Sequence, residues 1–135
     1  MWDVETGREL PTLQGHTDSV CGVAVDADGR LAISASADQT LKVWDVGTGH
    51  ELLTLEGHTG LVNCVAVSGD ARRAVSASYD HTVKVWDLET GVVTTTFTCD
   101  GEALCCAFIA DNRLIAGDAG GRVHFLHLEE PKCNK

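Results

Sequence analysis

Two sets of residues in this chain have the types that a hydrolytic enzyme uses. The first set is His16, Ser34, Asp38 and Trp44. A serine, a histidine and an aspartate together can support nucleophilic catalysis, in which the histidine takes the proton of the serine hydroxyl. A second set with the same spacing follows 42 residues later: His58, Ser76, Asp80 and Trp86. A catalytic site needs only one such set, so the duplication favours a structural role within a repeated unit.

Metal binding is the next chemistry to test against the sequence. None of the six cysteines belongs to a Cys-x-x-Cys pair, and His124 and His127 have no such pair as partners. Zinc sites usually take their ligands at short, regular spacings. We therefore expect no metal and no cofactor. We interpret the cysteines as free thiols that fill small spaces in the core.

The charge of the chain narrows the range of partners. The formal net charge is −10, with 20 acidic residues against 10 basic ones. Such a surface repels phosphate backbones and acidic membranes, so we expect no nucleic-acid and no membrane partner. No basic, apolar leader opens the chain and no apolar run is long enough to cross a bilayer. These features predict a soluble, cytoplasmic protein.

Self-similarity is the strongest signal in the sequence. Trp-Asp dipeptides recur every 42 residues, at Trp2-Asp3, Trp44-Asp45 and Trp86-Asp87, and Gly15-His16 and Gly57-His58 recur at the same interval. A fixed period of this length is typical of architectures in which each repeat buries its apolar surface against the next repeat.

Each unit contains four short segments rich in strand-forming residues and separated by turn signals such as Asp28-Gly29. In the first unit the predicted strands are Val20–Val25, Leu31–Ser36, Thr40–Asp45 and Glu51–Glu56. Intervals near ten residues leave no room for crossover helices, so the sheets must be antiparallel. The segment 61–67 is apolar on both faces. A sheet with two apolar faces must lie between two other sheets.

The Gly-His and Trp-Asp dipeptides at this period resemble the WD-repeat family, and the likeness covers residues 1 to about 128. The resemblance implies a β-propeller, in which four-stranded blades surround a central channel and Trp-Asp closes the third strand. It also implies a role for the two repeated sets. In each of them Asp orients His, His reaches Ser, and Ser reaches the indole N–H, which satisfies polar groups inside the blade.

Because Trp-Asp closes the third strand of a blade, the resemblance implies that each sequence repeat is offset from its blade. The fold is then predicted to be all-β, a propeller segment of about three four-stranded antiparallel blades. Residues 1–14 end a preceding repeat and hold an orphan outer strand, Glu9–Gln14. Residues 15–56 and 57–98 are full blades, 99–128 form a degenerate terminal blade, and 129–135 form a flexible tail. Propellers have about four to eight blades, so the ring is incomplete in one chain. We favour the C-terminal part of a larger propeller; the alternative is a homodimer of six blades.

The terminal unit departs from the repeat. Cys99-Asp100 stands where the pattern has Gly-His, and our alignment leaves Asp100, Ala116, Gly120 and Leu126 at the positions of the four-residue set. These residues cannot form the hydrogen-bonded set, so we expect this blade to be less rigid than the other two. The ending is similar to the final blade of bacterial WD-repeat proteins, whose propeller often follows an NB-ARC signalling module. This chain contains no Walker motif.

The family resemblance also implies where partners bind. In WD-repeat proteins, the turns before each first strand and the residue before the turn aspartate often contact other proteins. By position these residues are Asp18, Ser19, Ala37, Gly60, Leu61, Tyr79 and Ala119. Tyr79 is the strongest candidate, because exposed aromatic side chains anchor interfaces; the alternative is a partly covered surface tyrosine.

We interpret the chain as a protein-interaction scaffold, the sensor portion of a bacterial signalling protein. Its partners would be other proteins or the remaining propeller blades. The first alternative is a self-assembling protomer that closes a ring as a homo-oligomer. The second is an enzyme with a site in the propeller funnel, which would need an unmatched polar cluster that the sequence does not reveal.

Overall fold

The computed structural model describes residues 13–110 and 112–128, and these residues form eleven β-strands and no helix. The strands are β1 Val20–Val25, β2 Leu31–Ser36, β3 Leu41–Asp45, β4 Glu51–Leu55, β5 Val62–Val67, β6 Arg73–Ser78, β7 Thr82–Asp87, β8 Val92–Thr98, β9 Ala103–Ala110, β10 Arg113–Asp118 and β11 Val123–His127. Over these ranges, accordingly, no helix has the length and apolarity that crossing a membrane requires.

The strands form three antiparallel sheets. The first, blade 1, has the order β1-β2-β3-β4, and the second, blade 2, has the order β5-β6-β7-β8. The third, blade 3, has the three strands β9, β10 and β11, with β10 in the middle. The three sheets do not close a ring, which confirms the predicted fold class. The predicted outer strand at Glu9–Gln14 lies mostly outside the described residues, as does the predicted tail at 129–135.

The strand bounds follow from the alternation of strand-forming residues and turns. In blade 1, β1 and β2 have the predicted bounds, β3 begins one residue later at Leu41, and β4 ends one residue earlier at Leu55. Blades 1 and 2 share one register, because Val23 pairs with Ser34 and Val65 pairs with Ser76. The repeat in the sequence is therefore a repeat in hydrogen-bond register.

The turn between the second and third strands has the same backbone in all three blades. Gln39, His81 and Gly121 adopt positive φ angles of 76°, 74° and 82°. Each donates its backbone N–H to the residue three positions earlier, as His81 does to the carbonyl of Ser78 at 3.3 Å. Non-glycine residues rarely adopt this conformation, so blades 1 and 2 carry local strain that Gly121 relieves in blade 3.

Two apolar cores lie between the blades. Ile33, Leu41 and Val43 of blade 1 pack with Val65 and Trp86 of blade 2 in the first core. The second core joins the opposite face of blade 2 to blade 3. Its buried members include Val75, Val83, Val85, Leu114 and Ala116. Both faces of blade 2 are therefore covered.

The outward faces of the two terminal blades are open. Val23 of blade 1 is 70% exposed, although the matching Val65 of blade 2 is 5% exposed. On blade 3, Val123 is 59% exposed and Phe125 is 72% exposed. An apolar strand face of this kind is expected to contact another protein surface.

Candidate functional site

The repeated polar set of blade 2 forms a continuous hydrogen-bonded chain. The indole Nε1 of Trp86 donates to Ser76 Oγ at 2.8 Å, and Ser76 Oγ lies 2.6 Å from His58 Nε2. On the other side of the ring, His58 Nδ1 lies 2.8 Å from Asp80 Oδ2. His58 precedes the first strand of the blade, Ser76 lies on β6, Trp86 on β7 and Asp80 in the turn between these two strands, which pair in antiparallel register.

Blade 1 repeats this arrangement almost atom for atom. Trp44 Nε1 donates to Ser34 Oγ at 2.9 Å, and Ser34 Oγ lies 2.6 Å from His16 Nε2. His16 Nδ1 lies 2.8 Å from Asp38 Oδ2. The structure thus brings together all eight residues that the sequence grouped into two sets.

The hydrogen positions in each hydrogen-bonded chain follow from the chemistry of its carboxylate, imidazole, hydroxyl and indole groups. An ionised carboxylate only accepts hydrogen bonds, so Nδ1 of the neutral histidine must donate to the aspartate. Nε2 then accepts the hydroxyl proton of the serine, and the serine oxygen accepts the indole N–H. Every donor meets an acceptor, and across the described residues no buried side-chain nitrogen or oxygen lacks a partner.

In each blade the aspartate of the polar set also bonds to the turn in which it lies. Asp80 Oδ2 also accepts the backbone N–H of Thr59, and its Oδ1 accepts the backbone N–H and the hydroxyl of Thr82. Burial by itself would raise the pKa of Asp80, but the hydrogen bonds from Thr82, His58 and Thr59 outweigh it and hold this pKa at about 2. At Asp38, burial would likewise raise the pKa, but the hydrogen bonds from Thr40, His16 and Thr17 outweigh it and hold this pKa well below its ordinary value. Both aspartates are therefore charged at neutral pH.

The histidine of blade 2 is held in its neutral form. Burial lowers the pKa of His58, and its contact with Asp80 only partly compensates. A neutral imidazole is what the hydrogen-bonded chain requires, because Nε2 must accept the serine proton. His58 is therefore adapted to a structural bridge.

This geometry resembles a catalytic triad, but the serine hydroxyl of blade 2 is buried away from any substrate. Ser76 and Trp86 are both 0% exposed, and the indole N–H occupies the serine oxygen. A substrate carbonyl would have to displace the indole to reach this hydroxyl. The hydroxyl of Ser76 is therefore engaged on both sides within the blade.

Blade 3 contains a different polar arrangement at the corresponding place. Ala116 and Leu126 occupy the positions of the serine and the tryptophan, as the register of β10 with its neighbours shows. Asp118 instead accepts the backbone N–H groups of Gly120 and Arg122 through Oδ1, and its Oδ2 lies 2.9 Å from His124 Nε2. The hydrogen bond with His124 is the main reason that the pKa of Asp118 is lowered.

A third side chain completes a cluster that the sequence analysis missed. Cys99 Sγ, a carboxylate oxygen of Asp118 and a ring nitrogen of His124 all lie within 4.8 Å of one another. Cys99 is 5% exposed, and burial together with the carboxylates of Asp118 and Asp100 raises the pKa of its thiol. The three residues lie 19 and 6 positions apart, which matches no metal-binding motif. Only the departure of all three from the repeat pattern could have indicated them.

The predicted partner-binding residues lie at the turns that enter and leave the first two strands of each blade. Backbone hydrogen bonds join them in pairs, from Tyr79 N to Leu61 O at 3.0 Å and from Ala37 N to Ser19 O at 2.8 Å. Tyr79 is 47% exposed. Asp18, Ser19 and Ala119 are exposed, and Ala37, Gly60 and Leu61 are half-buried.

Gly60 has a packing role at this edge. A Cβ at this position would lie 2.9 Å from the backbone nitrogen of Asp80, so no other residue fits without a shift of the turn. The accessible side chains of this surface are therefore those around Gly60, above all Tyr79.

Two protein-family models match the chain. The model described as the TEP-1 C-terminal beta-propeller matches residues 58–128, which is more than half of the chain. The model described as the WD domain, G-beta repeat, matches residues 7–45. The two matches cover the polar sets of both four-stranded blades and all of blade 3.

Three curated relatives align with about a third of the chain each. Autophagy-related protein 16 of Arabidopsis thaliana is 48% identical over 44 residues, and Elongator complex protein 2 of Schizosaccharomyces pombe is 42% identical over 45 residues. NACHT domain- and WD repeat-containing protein 1 of Mus musculus is 51% identical over 43 residues. Each alignment covers 32% of this chain but only 9%, 6% and 3% of the respective relative. With its repeated Trp-Asp units, its stacked four-stranded sheets and these matches, the chain belongs to the WD-repeat β-propeller family, whose members generally act as protein-interaction scaffolds.

Proposed function

We propose that this chain is a protein-binding part of a WD-repeat propeller and that the turns around Tyr79 contact the partner. One observation carries the proposal: an exposed aromatic side chain stands on a turn that is held rigidly. Tyr79 donates its backbone N–H to Leu61, and the hydroxyl of Ser78 donates to Leu61 O at 2.8 Å and accepts from Asp80 N at 3.1 Å. A rigid anchor loses little conformational entropy when it binds.

The experiment compares Tyr79→Ala with Leu52→Ala. Leu52 is 50% exposed, close to the exposure of Tyr79, but it lies on β4. The two variants and the wild type serve as baits for proximity labelling followed by quantitative mass spectrometry. We expect a discrete group of proteins that the wild type and Leu52→Ala label and that Tyr79→Ala loses. Identical labelling by all three baits would refute the role of Tyr79.

We also propose that this scaffold works within a larger signalling protein, as its C-terminal, sensing part. The support is that one relative is named for a NACHT domain and WD repeats, and that the chain spans less than a tenth of each of these three relatives. These three relatives come from a plant, a fission yeast and a mouse, so they do not support the bacterial source that the sequence led us to expect.

We propose that the protein works in the cytoplasm. Cys21 and Cys105 are exposed and free, and exposed thiols persist in a reducing compartment. The net charge of −10 favours protein partners with basic surfaces over nucleic acid or anionic membranes. Subcellular fractionation of the native protein tests the compartment, and recovery with a membrane or extracellular fraction would contradict it.

A second candidate function, self-assembly into a closed ring, is favoured by the two open faces. Val23 on the open face of blade 1 matches Val65 of blade 2, and Val65 packs against blade 1. The exposed face of blade 3 could therefore cover the Val23 face of a second copy in the same way. Two copies would supply six blades. Size-exclusion chromatography with light scattering tests this: a discrete dimer that Phe125→Glu dissociates supports it, and a monomer or a polydisperse aggregate contradicts it.

A further inference from the structure

The terminal repeat has Cys99, Asp118 and His124, three residue types that can ligate metals, where the other repeats have other residues. By the 42-residue period of the sequence, Cys99 stands where blade 2 has Gly57. By strand register, Asp118 stands where blade 2 has Ser78, and His124 stands where it has Lys84. The matching residues of blade 1 are Gly15, Ser36 and Lys42. All three substitutions fall in the terminal repeat, residues 99–128, and ligand atoms of their side chains lie within 4.8 Å of one another.

These three side chains are held by different parts of the fold. Cys99 follows β8 of blade 2, Asp118 ends β10, and His124 lies on β11. The side chain of Asp118 is 0% exposed and that of His124 is 22% exposed. Asp118 Oδ1 is occupied by two backbone N–H groups, so its Oδ2 is directed towards His124. The cluster is thus a pre-formed, partly open arrangement between two blades.

We propose that Cys99, Asp118 and His124 bind one divalent cation, with Zn²⁺ as the best fit. A thiolate, a carboxylate oxygen and an imidazole nitrogen are the three ligand types that zinc prefers, and a site with three protein ligands leaves a fourth position for water. The cation ties the end of blade 2 to two strands of blade 3. It thereby replaces the hydrogen-bonded chain that blade 3 lacks.

The distances allow this with small movements. Two ligands at about 2.0 Å from a tetrahedral ion lie about 3.3 Å apart. His124 Nε2 and Asp118 Oδ2 are 2.9 Å apart, so they would separate by a few tenths of an ångström. Cys99 Sγ lies within 4.8 Å of a carboxylate oxygen of Asp118 and of a ring nitrogen of His124, a distance that side-chain rotation can shorten.

The test uses Co²⁺ as a spectroscopic substitute for Zn²⁺ on the full chain, purified with chelator under reducing conditions. We expect one equivalent of Co²⁺ to bind with a sulfur-to-cobalt charge-transfer band, and Zn²⁺ to displace it. Cys99→Ser should abolish the band. His124→Ala, at a partly exposed edge-strand position that is tolerant of truncation, should weaken binding by about tenfold or more.

Matched controls distinguish this site from adventitious thiol binding. Cys105→Ser removes an exposed thiol of the same blade, and His127→Ala removes an exposed imidazole of the same strand, so neither should change the titration. Far-ultraviolet circular dichroism monitors the fold of every variant. If Cys99→Ser does not fold, the wild type with and without Zn²⁺ decides the question, because the metal should raise its Tm and His124→Ala should lose this increase. The proposal is wrong if the wild type shows no charge-transfer band, or if the controls remove the band and Cys99→Ser keeps it.

Discussion

Blades 1 and 2 have the same internal hydrogen bonds but very different surroundings. In both, the histidine lies 2.8 Å from the aspartate and 2.6 Å from the serine. Yet Val23 is 70% exposed in blade 1, whereas the matching Val65 is 5% exposed in blade 2. The polar chain is therefore a property of one blade, while the burial of its apolar face depends on a neighbouring blade.

The largest expected effect comes from removal of the central serine of blade 2. Ser76→Ala leaves His58 Nε2 and the Trp86 indole N–H without partners inside the protein. Each unpaired buried group costs about 1–3 kcal/mol, so we expect a loss of about 2–4 kcal/mol in the free energy of unfolding. Urea denaturation followed by tryptophan fluorescence measures it.

The matched variant in blade 1 is Ser34→Ala. Trp44 is 5% exposed where Trp86 is 0% exposed, and the blade face beside it is open, so water can reach the freed groups more easily. We expect a smaller loss than for Ser76→Ala. Equal losses would show that the open face of blade 1 is covered in solution.

The next effect comes from the apolar faces. Val65→Ala should lower the free energy of unfolding by about 2 kcal/mol, because it removes two buried carbon groups and leaves a small cavity. Val23→Ala should change it by less than about 0.5 kcal/mol, as for other surface positions. Thermal or urea unfolding of both variants measures the two changes in the free energy of unfolding. A Val23→Ala loss as large as that of Val65→Ala would instead indicate a partner on blade 1.

A smaller effect is expected from pH. The pKa of His58 is lower in the folded protein than its ordinary value of 6.5, so the unfolded chain binds the proton more readily. Stability from this group is fully present above pH 6.5 and falls as the pH drops below that value. Asp80 acts similarly in more acidic solution, between its ordinary 3.8 and about 2.

Urea midpoints measured across this range test the pH dependence. His58→Gln removes the titrating group, so this variant should lose part of the slope near pH 6 even though it is less stable throughout. A wild-type stability that rises as the solution is acidified from neutral pH would contradict the neutral state of His58.

The smallest effect concerns a surface ion pair that differs between the blades. Lys42 Nζ lies 2.9 Å from Glu51 in blade 1, and Val93 takes the place of Glu51 in blade 2. The side chain of Lys42 is 12% exposed and that of Glu51 is 38% exposed. Ion pairs that solvent reaches contribute about 0–1 kcal/mol, so Glu51→Val should lower the free energy of unfolding by no more than about that. High salt should reduce the difference between variant and wild type. A loss above this range would mean that Glu51 does more than pair with Lys42.

Much of the fold could be predicted because its signals are local and repeated. The alternation of strand residues with turns predicted β1 and β2 at their observed bounds. The shared offsets of His58, Ser76, Asp80 and Trp86 with the first set indicated a structural role, and the structure places their atoms at bonding distance. Whether the turns around Tyr79 contact a partner stays a prediction.

The cluster of Cys99, Asp118 and His124 could not be predicted from spacing. Its members belong to the end of one blade and to two strands of the next, and they meet because blade 3 packs on blade 2. A motif search finds ligands that are close in sequence or repeated at regular intervals, and this cluster has neither property. From the sequence, Cys99 was noted only as a departure from the Gly-His dipeptide, and His124 only as a histidine without a Cys-x-x-Cys partner.

The sequence by itself determined the four-strand pattern of the repeated unit, its antiparallel pairing and the residues of the two polar sets, because these depend on contacts within one blade. Tertiary structure alone decided which of two equivalent valines is buried and which ligand-type side chains meet. The physical reason is that burial, and the approach of Cys99 to His124, depend on a neighbouring sheet whose position no single repeat encodes.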